Sequence, residues 1–154
     1  MRKLNNNELG RISIEEFKNQ KKLPLTIVLE NIRSAHNVGA IFRTSDAFLI
    51  KKIILCGITA KPPNNKIYKS ALGSTNSVEW SYEKNVEDVI VKLKKKGHHI
   101  VAVEQTEKSI SLNKFVLKKS PLTIIFGNEI NGVSQNIIDL CDRTVQIPQY
   151  GTKH

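Results

Sequence analysis

Short runs of branched apolar residues recur along this chain and alternate with segments of helical or loop character. Such runs predict strands at residues 25–29, 52–56, 100–103, 122–126 and 144–147, and residues 78–82 predict a further short strand. Continuous apolar runs are typical of strands that are buried on both faces of a sheet. Because strands alternate with helical segments, we expect an α/β domain with a mostly parallel sheet flanked by helices.

Capping residues and helical periodicity predict helices between these strands. Ser13 and Glu16 form an S-x-x-E capping box, which predicts a short helix over residues 14–20. Residues 86–97 carry apolar side chains at helical spacing, followed by three lysines and a glycine that suit a helix end. The remaining predictions are a helix over residues 133–140 and, over residues 59–77, a loop with at most one helical turn.

Length and composition describe one soluble domain. A chain of 154 residues buries about 70% of its unfolded surface, and 40% apolar with 25% charged residues is typical of globular proteins. No run reaches the roughly 18 apolar residues of a membrane span, and the N-terminus lacks the apolar region of a signal peptide. We expect a cytoplasmic protein with a basic N-terminal arm, residues 1–24, and one α/β domain, residues 25–154.

The charge balance points to a polyanionic partner. The formal net charge is +10, from 24 basic and 14 acidic residues. Such an excess attracts nucleic acid through counterion release, although a solvated basic surface without an RNA role explains the charge alone. The arm has the same two interpretations, a segment that contacts phosphates or a solvated surface helix. Aromatic residues make up 6% of the chain, which argues against a single-strand stacking module.

Several familiar site patterns are missing or weak. The chain has no G-x-G-x-x-G after the first strand and no G-x-x-x-x-G-K-[ST], which argues against a dinucleotide-binding Rossmann site and a P-loop. Cys56 and Cys141 lie far apart without a C-x-x-C pattern, so we expect reduced structural thiols. His98 and His99 are expected at the surface, without the companions that a metal site needs.

Residues 31–48, NIRSAHNVGAIFRTSDAF, are too polar for a simple core helix. They predict a polar turn over residues 31–37 and then a helix that begins at Val38. Arg43 lies six residues after Asn37, so one helix start could direct an amide and a guanidinium into the same cleft. The apolar face of this helix is expected to consist of Val38, Ile41, Phe42 and Ala47.

Four polar loops follow predicted strands and would meet at one edge of a parallel sheet. Ligands of open α/β sheets bind beyond the carboxyl ends of the strands. The loops are residues 31–37, Gln105, residues 127–129 and residues 148–151. Ordinary turn chemistry, with Glu129 near a helix N-terminus, explains the third loop equally well, and His36 suits either a structural hydrogen bond or a substrate contact.

Together, NxRSxHNVGAIFRTSDAF, KSALGST, FGNExxGVS and IPxxG resemble the signature of the SpoU (TrmH) family of RNA ribose 2'-O-methyltransferases, in the SPOUT superfamily. The resemblance covers essentially everything from residue 25 onward. It implies a C-terminal deep trefoil knot, which spacing alone would not suggest because knots are nearly absent from folds. It also implies S-adenosylmethionine as methyl donor and a homodimer whose active sites form at the subunit interface.

The resemblance assigns roles to residues. Asn37 and Arg43 match the invariant polar pair of the first motif and Glu129 matches the acid of the second, so all three are expected to be catalytic. Val133 stands where relatives usually have leucine. The residues expected to hold the cofactor are Gly127, Asn128, Ile147, Pro148 and Gly151. The residues expected to bind RNA are Arg33, Ser34, His36 and Arg43.

Methyl transfer requires alignment of the ribose 2'-oxygen with the methyl carbon. The family often gives Arg43 the role of base, but a guanidinium is a very weak acid and stays protonated in proteins. We therefore expect Arg43 to clamp an RNA phosphate, with that phosphate or a bound water accepting the proton. Asn37 would orient the ribose or Arg43, and Glu129 would fix Arg43 or the loop geometry. No metal is required.

The family's third motif continues past residue 151 into Ser-Leu-Asn and a closing helix, whereas this chain stops at His154. We expect a chain truncated relative to the natural protein, and the alternative is a SpoU-like RNA-binding homodimer without methyltransferase activity. The sequence Asn-Ile-Arg-Ser after the first strand disfavours a flavodoxin-like nucleotide domain. Since only a short basic arm accompanies the domain, tRNA is favoured over rRNA as the target.

Overall fold

The computed structural model describes residues 1–117 and 120–152, and its central feature is a parallel sheet in the order β3-β2-β1-β6-β4-β7-β5. All six strand pairs are parallel. The strands are β1 (Leu23–Glu30), β2 (Ile50–Cys56), β3 (Trp80–Glu83), β4 (His99–Val103), β5 (Ile110–Ser111), β6 (Leu122–Phe126) and β7 (Arg143–Gln146). The α-helices are α1 (Ile14–Asn19), α2 (Ala35–Ala47), α3 (Asn65–Ala71), α4 (Val86–Lys95) and α5 (Gln135–Leu140). The predicted α/β class and parallel sheet are confirmed.

Every predicted strand is present, and the sequence missed only β5 among the strands of the described residues. The bounds of β6 agree fully with the prediction, whereas β1 starts two residues early and β3 two residues late. β5 has two residues at the outer edge of the sheet, too few to show a hydrophobic period. No helix of the described residues has the length and apolar character to cross a membrane.

The capping box of α1 is confirmed, since Ser13 Oγ accepts from the Glu16 N–H at 3.1 Å and Glu16 Oε2 accepts from the Ser13 N–H at 2.7 Å. α4 also follows its prediction. Gly97, just past its end, has a φ of +81°, in the left-handed region that glycine adopts readily.

Three helix predictions are wrong in extent, and the smallest difference is that α5 begins at Gln135 and not at Val133. α2 begins at Ala35 and not at Val38, because Ser34 Oγ accepts from the Asn37 N–H at 3.2 Å and caps the helix. α3 has seven residues, about two turns, where at most one turn was predicted. Its N-cap is Asn64, whose side chain accepts from two backbone N–H groups of the first turn.

The core has two layers because β1 is buried on both faces. Ile27 and Leu29 pack on one side with residues of α2 and α3, and Val28 packs on the other side with residues of α4 and α5. This alternation follows from the two-residue side-chain period of a strand. On the predicted apolar face of α2, Val38 and Phe42 are buried, Ile41 is half-buried and Ala47 is exposed.

The N-terminal segment is tied to the domain through α1. Phe17 is 3% exposed and belongs to the core layer of α2 and α3. Lys22 Nζ lies 4.3 Å from the centre of the Phe17 ring, a cation–π contact. The helical part of residues 1–24 therefore packs against the fold.

Both cysteines are free thiols, as predicted. Burial raises the pKa of Cys56 to about 12, and carboxylates of Glu83 and Glu30 add to this rise. The surface prediction for the two histidines is wrong, because both rings are half-buried. His98 Nδ1 lies 2.8 Å from Thr123 Oγ1, and His99 Nδ1 lies 3.3 Å from Asp142. An acidic partner thus accompanies His99, supplied by the segment before β7.

Candidate active site

The carboxyl ends of β1, β6, β4 and β7 are neighbours in the sheet, so the loops after these strands meet. Leu29 pairs with Phe126, which puts the residues after β1 beside the residues after β6. Asn128 Nδ2 donates to the Asn31 carbonyl at 2.8 Å and joins the two loops. The expected convergence of polar loops is confirmed for this pair.

Glu129 binds the start of α2 through three hydrogen bonds. Its carboxylate accepts from the backbone N–H groups of Arg33 and Ser34, each at 3.0 Å, and from Asn37 Nδ2 at 3.1 Å. Negative charge is favoured at this position because the first turn of a helix has N–H groups without intrahelical partners. Burial alone raises the pKa of Glu129, but these hydrogen bonds and one from its own N–H lower it overall.

Asn31 shapes the turn between β1 and α2. Its φ is +56°, a left-handed conformation in which asparagine is enriched. Its Oδ1 accepts from the Ile58 N–H at 3.1 Å, and a Cβ added to Gly57 would lie 2.1 Å from that oxygen. Asn31 thus links the ends of β1 and β2, a structural role that its position within the polar run did not reveal.

Two glutamates that sequence reasoning did not assign hold the loop over residues 127–134. Glu104 Oε2 accepts from the Val133 N–H at 2.8 Å. Glu30 is 3% exposed, and it accepts from the Ser134 N–H at 3.2 Å and from the Ser134 hydroxyl. The sequence did contain a signal for this role, since each glutamate directly follows the apolar residues of a predicted strand and so lies at the carboxyl edge of the sheet.

The same loop closes on itself at two glycines. Asn128 and Gly132 exchange backbone hydrogen bonds of 3.0 and 2.9 Å. A Cβ on Gly127 would lie 2.2 Å from the Gly132 carbonyl carbon and from the Val133 nitrogen. Only a residue without a side chain allows this backbone approach. Gly127 is therefore required by the fold of the loop, whatever the loop binds.

A cleft of about 400 Å³ opens between the loops after β4, β6 and β7. Four predicted residues line it, namely Gly127, Asn128, Glu129 and Ile147. Pro148 and Gly151 follow β7 but are not among the lining residues of the described chain, whereas Gln149 is. The other lining residues are Val103, Glu104, Gln105, Phe126, Ile130, Asn131, Gly132 and Gln146.

A second groove, of about 750 Å³, lies between the starts of α2 and α3. Three residues predicted to bind RNA line it, namely Arg33, Ser34 and His36. The opposite wall consists of Ala60, Asn64, Asn65 and Lys66. Gly39 permits the close packing of the two helices, because a Cβ there would lie 2.0 Å from Ser70 Oγ. Ser70 Oγ donates to the His36 carbonyl at 2.9 Å.

The structure does not bring Arg43 to the other two residues expected to be catalytic. Arg43 lies six positions after Asn37 in α2. Six residues of an α-helix make one full turn plus about 240°, so the two side chains leave the helix on different sides. Asn37 faces Glu129, whereas Arg43 is exposed and lines neither the cleft nor the groove. Glu129 was expected to fix either Arg43 or the loop geometry, and its hydrogen bonds match the second role. Across residues 1–117 and 120–152, no three metal-ligating side chains cluster together.

Comparison with known proteins agrees with this geometry. The tRNA (guanosine(18)-2'-O)-methyltransferase of Aquifex aeolicus is 28% identical over 141 residues, covering 90% of this chain and 64% of the relative. The enzyme of the same name from Borreliella burgdorferi is 31% identical over 138 residues, covering 90% and 62%. The chain therefore spans less than two thirds of the length of these relatives.

Solved structures share the fold. The Aquifex aeolicus TrmH/SpoU tRNA modifying enzyme superposes with a TM-score of 0.77 at 26% identity, over 91% of this chain and 72% of that one. The AdoMet-bound rRNA methyltransferase from Sinorhizobium meliloti gives 0.79 at 25% identity, over 90% and 53%. The model of the SpoU rRNA Methylase family matches residues 24–154, which include every loop of the cleft and the groove. With fold, motifs and family model in agreement, this chain belongs to the SpoU rRNA Methylase family.

Proposed function

We propose that this chain transfers the methyl group of S-adenosylmethionine to a ribose 2'-hydroxyl of tRNA or rRNA. The names of its relatives support this activity, since the proteins from Aquifex aeolicus and Borreliella burgdorferi are 2'-O-methyltransferases of tRNA. One structural observation carries the proposal. Glu129 lines the cleft and also binds the start of α2, so a single carboxylate connects a candidate donor site to a candidate substrate site.

The residues of the cleft fit S-adenosylmethionine. A volume of about 400 Å³ lies within the ~300–1,000 Å³ of small-molecule sites. Val103, Phe126 and Ile147 offer apolar surface to a nucleobase, and the Glu104 carboxylate suits a cationic ligand. The residues proposed to hold the cofactor are Gly127, Asn128 and Ile147, with Pro148 and Gly151 in the segment that follows. Bound there, S-adenosylmethionine would supply a methyl group carried on a cationic sulfur.

Asn37 is proposed to orient the ribose. Its Nδ2 donates to Glu129, so the amide oxygen remains an acceptor for a hydroxyl proton. The backbone N–H of Asn37 is bound by Ser34 Oγ, which fixes the position of the side chain at the first turn of α2. Glu129 acts as a positioning residue in this arrangement, because it holds Asn37 and the turn before it.

Arg43 is proposed to clamp a phosphate next to the target ribose. Its side chain is exposed, so the guanidinium is accessible to RNA. A guanidinium donates two parallel hydrogen bonds to a phosphate and stays protonated, which leaves the phosphate or a water to accept the hydroxyl proton. Arg33, His36 and Lys66 line the groove between α2 and α3, where further phosphates would bind.

Other features of the proposal rest on membership of the family. They are the C-terminal trefoil knot and a homodimer with active sites at the subunit interface. A cytoplasmic location and catalysis without a metal are also proposed, from the sequence pattern and from the chemistry of methyl transfer. Residues 1–24 are proposed as a basic segment that precedes the methyltransferase domain and packs on it through α1. tRNA is proposed over rRNA, although relatives with both kinds of name occur, including a 23S rRNA methyltransferase of Blochmanniella floridana.

Two measurements test the proposed function. Calorimetric titration with S-adenosylmethionine measures cofactor binding, and transfer of labelled methyl groups to unfractionated tRNA or rRNA, followed by nucleoside mapping, measures the reaction. We expect binding and 2'-O-methyl nucleosides, both lost when Gly127→Val blocks the loop. Both are measured again on a chain extended through the family's third motif. RNA binding without cofactor binding in either chain would reject methyl transfer in favour of the RNA-binding homodimer.

A further inference from the structure

Charge is distributed unevenly between the two edges of the sheet. The edge that carries the candidate active site also carries carboxylates, because β1, β3 and β4 lead into Glu30, Glu83 and Glu104, and β6 leads into Glu129. The chain as a whole has a net charge of +10.

The opposite edge is formed by the starts of the strands. The pairs Leu23–Ile50, Leu25–Leu122 and His99–Leu122 align the starts of β2, β1, β6 and β4 side by side. Lysines lie along this edge. Lys51 is near the start of β2, Lys22 directly precedes β1 and Lys96 caps α4 just before β4.

A third pocket, of about 700 Å³ and distinct from the groove between α2 and α3, runs along part of this edge. Its lining includes Lys18, Lys22, Lys51 and half-buried Trp80. Glu79 also lines this pocket, and its carboxylate pairs with Lys52 at 3.0 Å. Asp142 pairs with Lys94 at 3.4 Å.

Exposed ammonium groups remain on this edge. Lys18, Lys51 and Lys96 are exposed, and none of them takes part in a salt bridge of the described residues. Burial lowers the pKa of His98, and repulsion from Lys51 and Lys96 lowers it further. A hydrogen bond with the backbone of Leu122 acts in the opposite direction. Lys51 and Lys96 thus lie near the same ring from two different elements.

We propose that this amino-edge surface, defined as Lys18, Lys22, Lys51 and Lys96, binds the phosphodiester backbone of the RNA substrate far from the reacting nucleotide. The inference rests on the proposed function. β1 has eight residues at ~3.3 Å each, so the two edges are about 26 Å apart. An RNA that contacts both edges at once must therefore span about 26 Å.

The test compares two variants with equal loss of charge. The first carries Lys18→Ala, Lys51→Ala and Lys96→Ala. It spares Lys22 because the Lys22 ammonium donates to the carbonyls of Phe17 and Gln20 at the end of α1. The control carries Lys3→Ala, Lys108→Ala and Lys114→Ala, which are exposed lysines outside the surface. Circular dichroism melting checks the fold of both. Fluorescence anisotropy with unfractionated tRNA is then measured over a range of salt concentrations.

We expect the first variant to lose roughly ten-fold or more in affinity at low salt, with a log–log salt slope smaller by about two to three. The control keeps the wild-type slope within about one unit. Equal slopes for the two variants, with tight wild-type binding, would overturn the amino-edge surface and leave the proposed methyltransferase standing. Absence of RNA binding by the wild type would reject both the amino-edge surface and the proposed RNA methyltransferase. Titration with S-adenosylmethionine would then show whether the cleft still binds the cofactor.

Discussion

The side-chain amide of Asn37 donates a 3.1 Å hydrogen bond to Glu129, a residue 92 positions later in the chain. The same carboxylate accepts from the N–H groups of Arg33 and Ser34. The loop after β6 therefore supplies the acceptor that the first turn of α2 lacks. A change in the cleft that displaces Glu129 will also displace Asn37.

Replacement of Glu129 by alanine should impair methyl transfer more than stability. The carboxylate is exposed, so we expect a loss of about 1 kcal/mol in the free energy of unfolding. Because Asn37 loses its anchor, kcat/KM should fall roughly 10- to 100-fold. Urea unfolding and methyl-transfer kinetics measure the two effects. Glu107→Ala, another exposed glutamate, is the control, and equal kinetics for both variants would remove Glu129 from the mechanism.

The lowered pKa of Glu129 predicts a pH dependence. Because the folded carboxyl has a lower pKa than the unfolded one, the unfolded chain binds the proton first as the pH falls. The stabilisation is complete above the unfolded pKa of about 4.3 and is lost as the pH falls through the folded pKa. The difference in unfolding free energy between wild type and Glu129→Gln should therefore be constant near neutrality and shrink in acid. A difference that grew in acid would contradict the hydrogen-bonded carboxylate.

Glu30→Ala should destabilise the protein by about 1–3 kcal/mol, because the N–H and hydroxyl of Ser134 would lose their buried acceptor. Glu83→Ala is the matched control, since Glu83 ends β3 as Glu30 ends β1 but is exposed. Thermal and urea unfolding measure both variants. We also expect weaker cofactor binding for Glu30→Ala, since Ser134 follows the cleft loop. Equal stability of the two variants would show that the contact with Ser134 is dispensable.

Gly39→Ala should destabilise the protein by about 1–3 kcal/mol through overpacking. The new methyl group would lie 2.0 Å from Ser70 Oγ and 2.4 Å from the Ile67 carbonyl oxygen, so α2 and α3 would separate. Gly151→Ala is the control, because a Cβ there meets nothing within 4 Å. Urea unfolding gives the free energy of unfolding of both variants and tests this prediction. Wild-type stability of Gly39→Ala would show that the two helices are free to shift apart.

Arg43→Lys separates charge from hydrogen-bonding geometry. The variant keeps the positive charge and loses the planar fork, so we expect kcat/KM to fall by roughly 10- to 100-fold with unchanged stability, since the side chain is exposed. Arg11→Lys, at an exposed position of the N-terminal segment, serves as control. Steady-state kinetics with tRNA measure the effect. An unchanged rate for Arg43→Lys would reject the bidentate clamp.

Local patterns were sufficient for most of the fold. The Ser13–Glu16 box, the periodicity of α4 and the apolar run of β6 each depend on neighbouring residues, and all three are found where predicted. The start of α2 was misplaced because the polar residues after β1 suit a turn as well as a first helical turn. Ser34 decides between the two by capping, which depends on the conformation that the backbone adopts there.

The sequence by itself determined the order of strands and helices, the parallel sheet and the motifs that carry the family resemblance. Only the tertiary structure decided which residues meet. It placed β1 beside β6, far apart in the chain, so that Glu129 holds Asn37 and Glu30 holds Ser134. It also left Arg43 apart from Asn37 and set lysines along the opposite edge. The physical reason is that hydrogen bonds between distant residues depend on strand order and register, which no local pattern of side chains encodes.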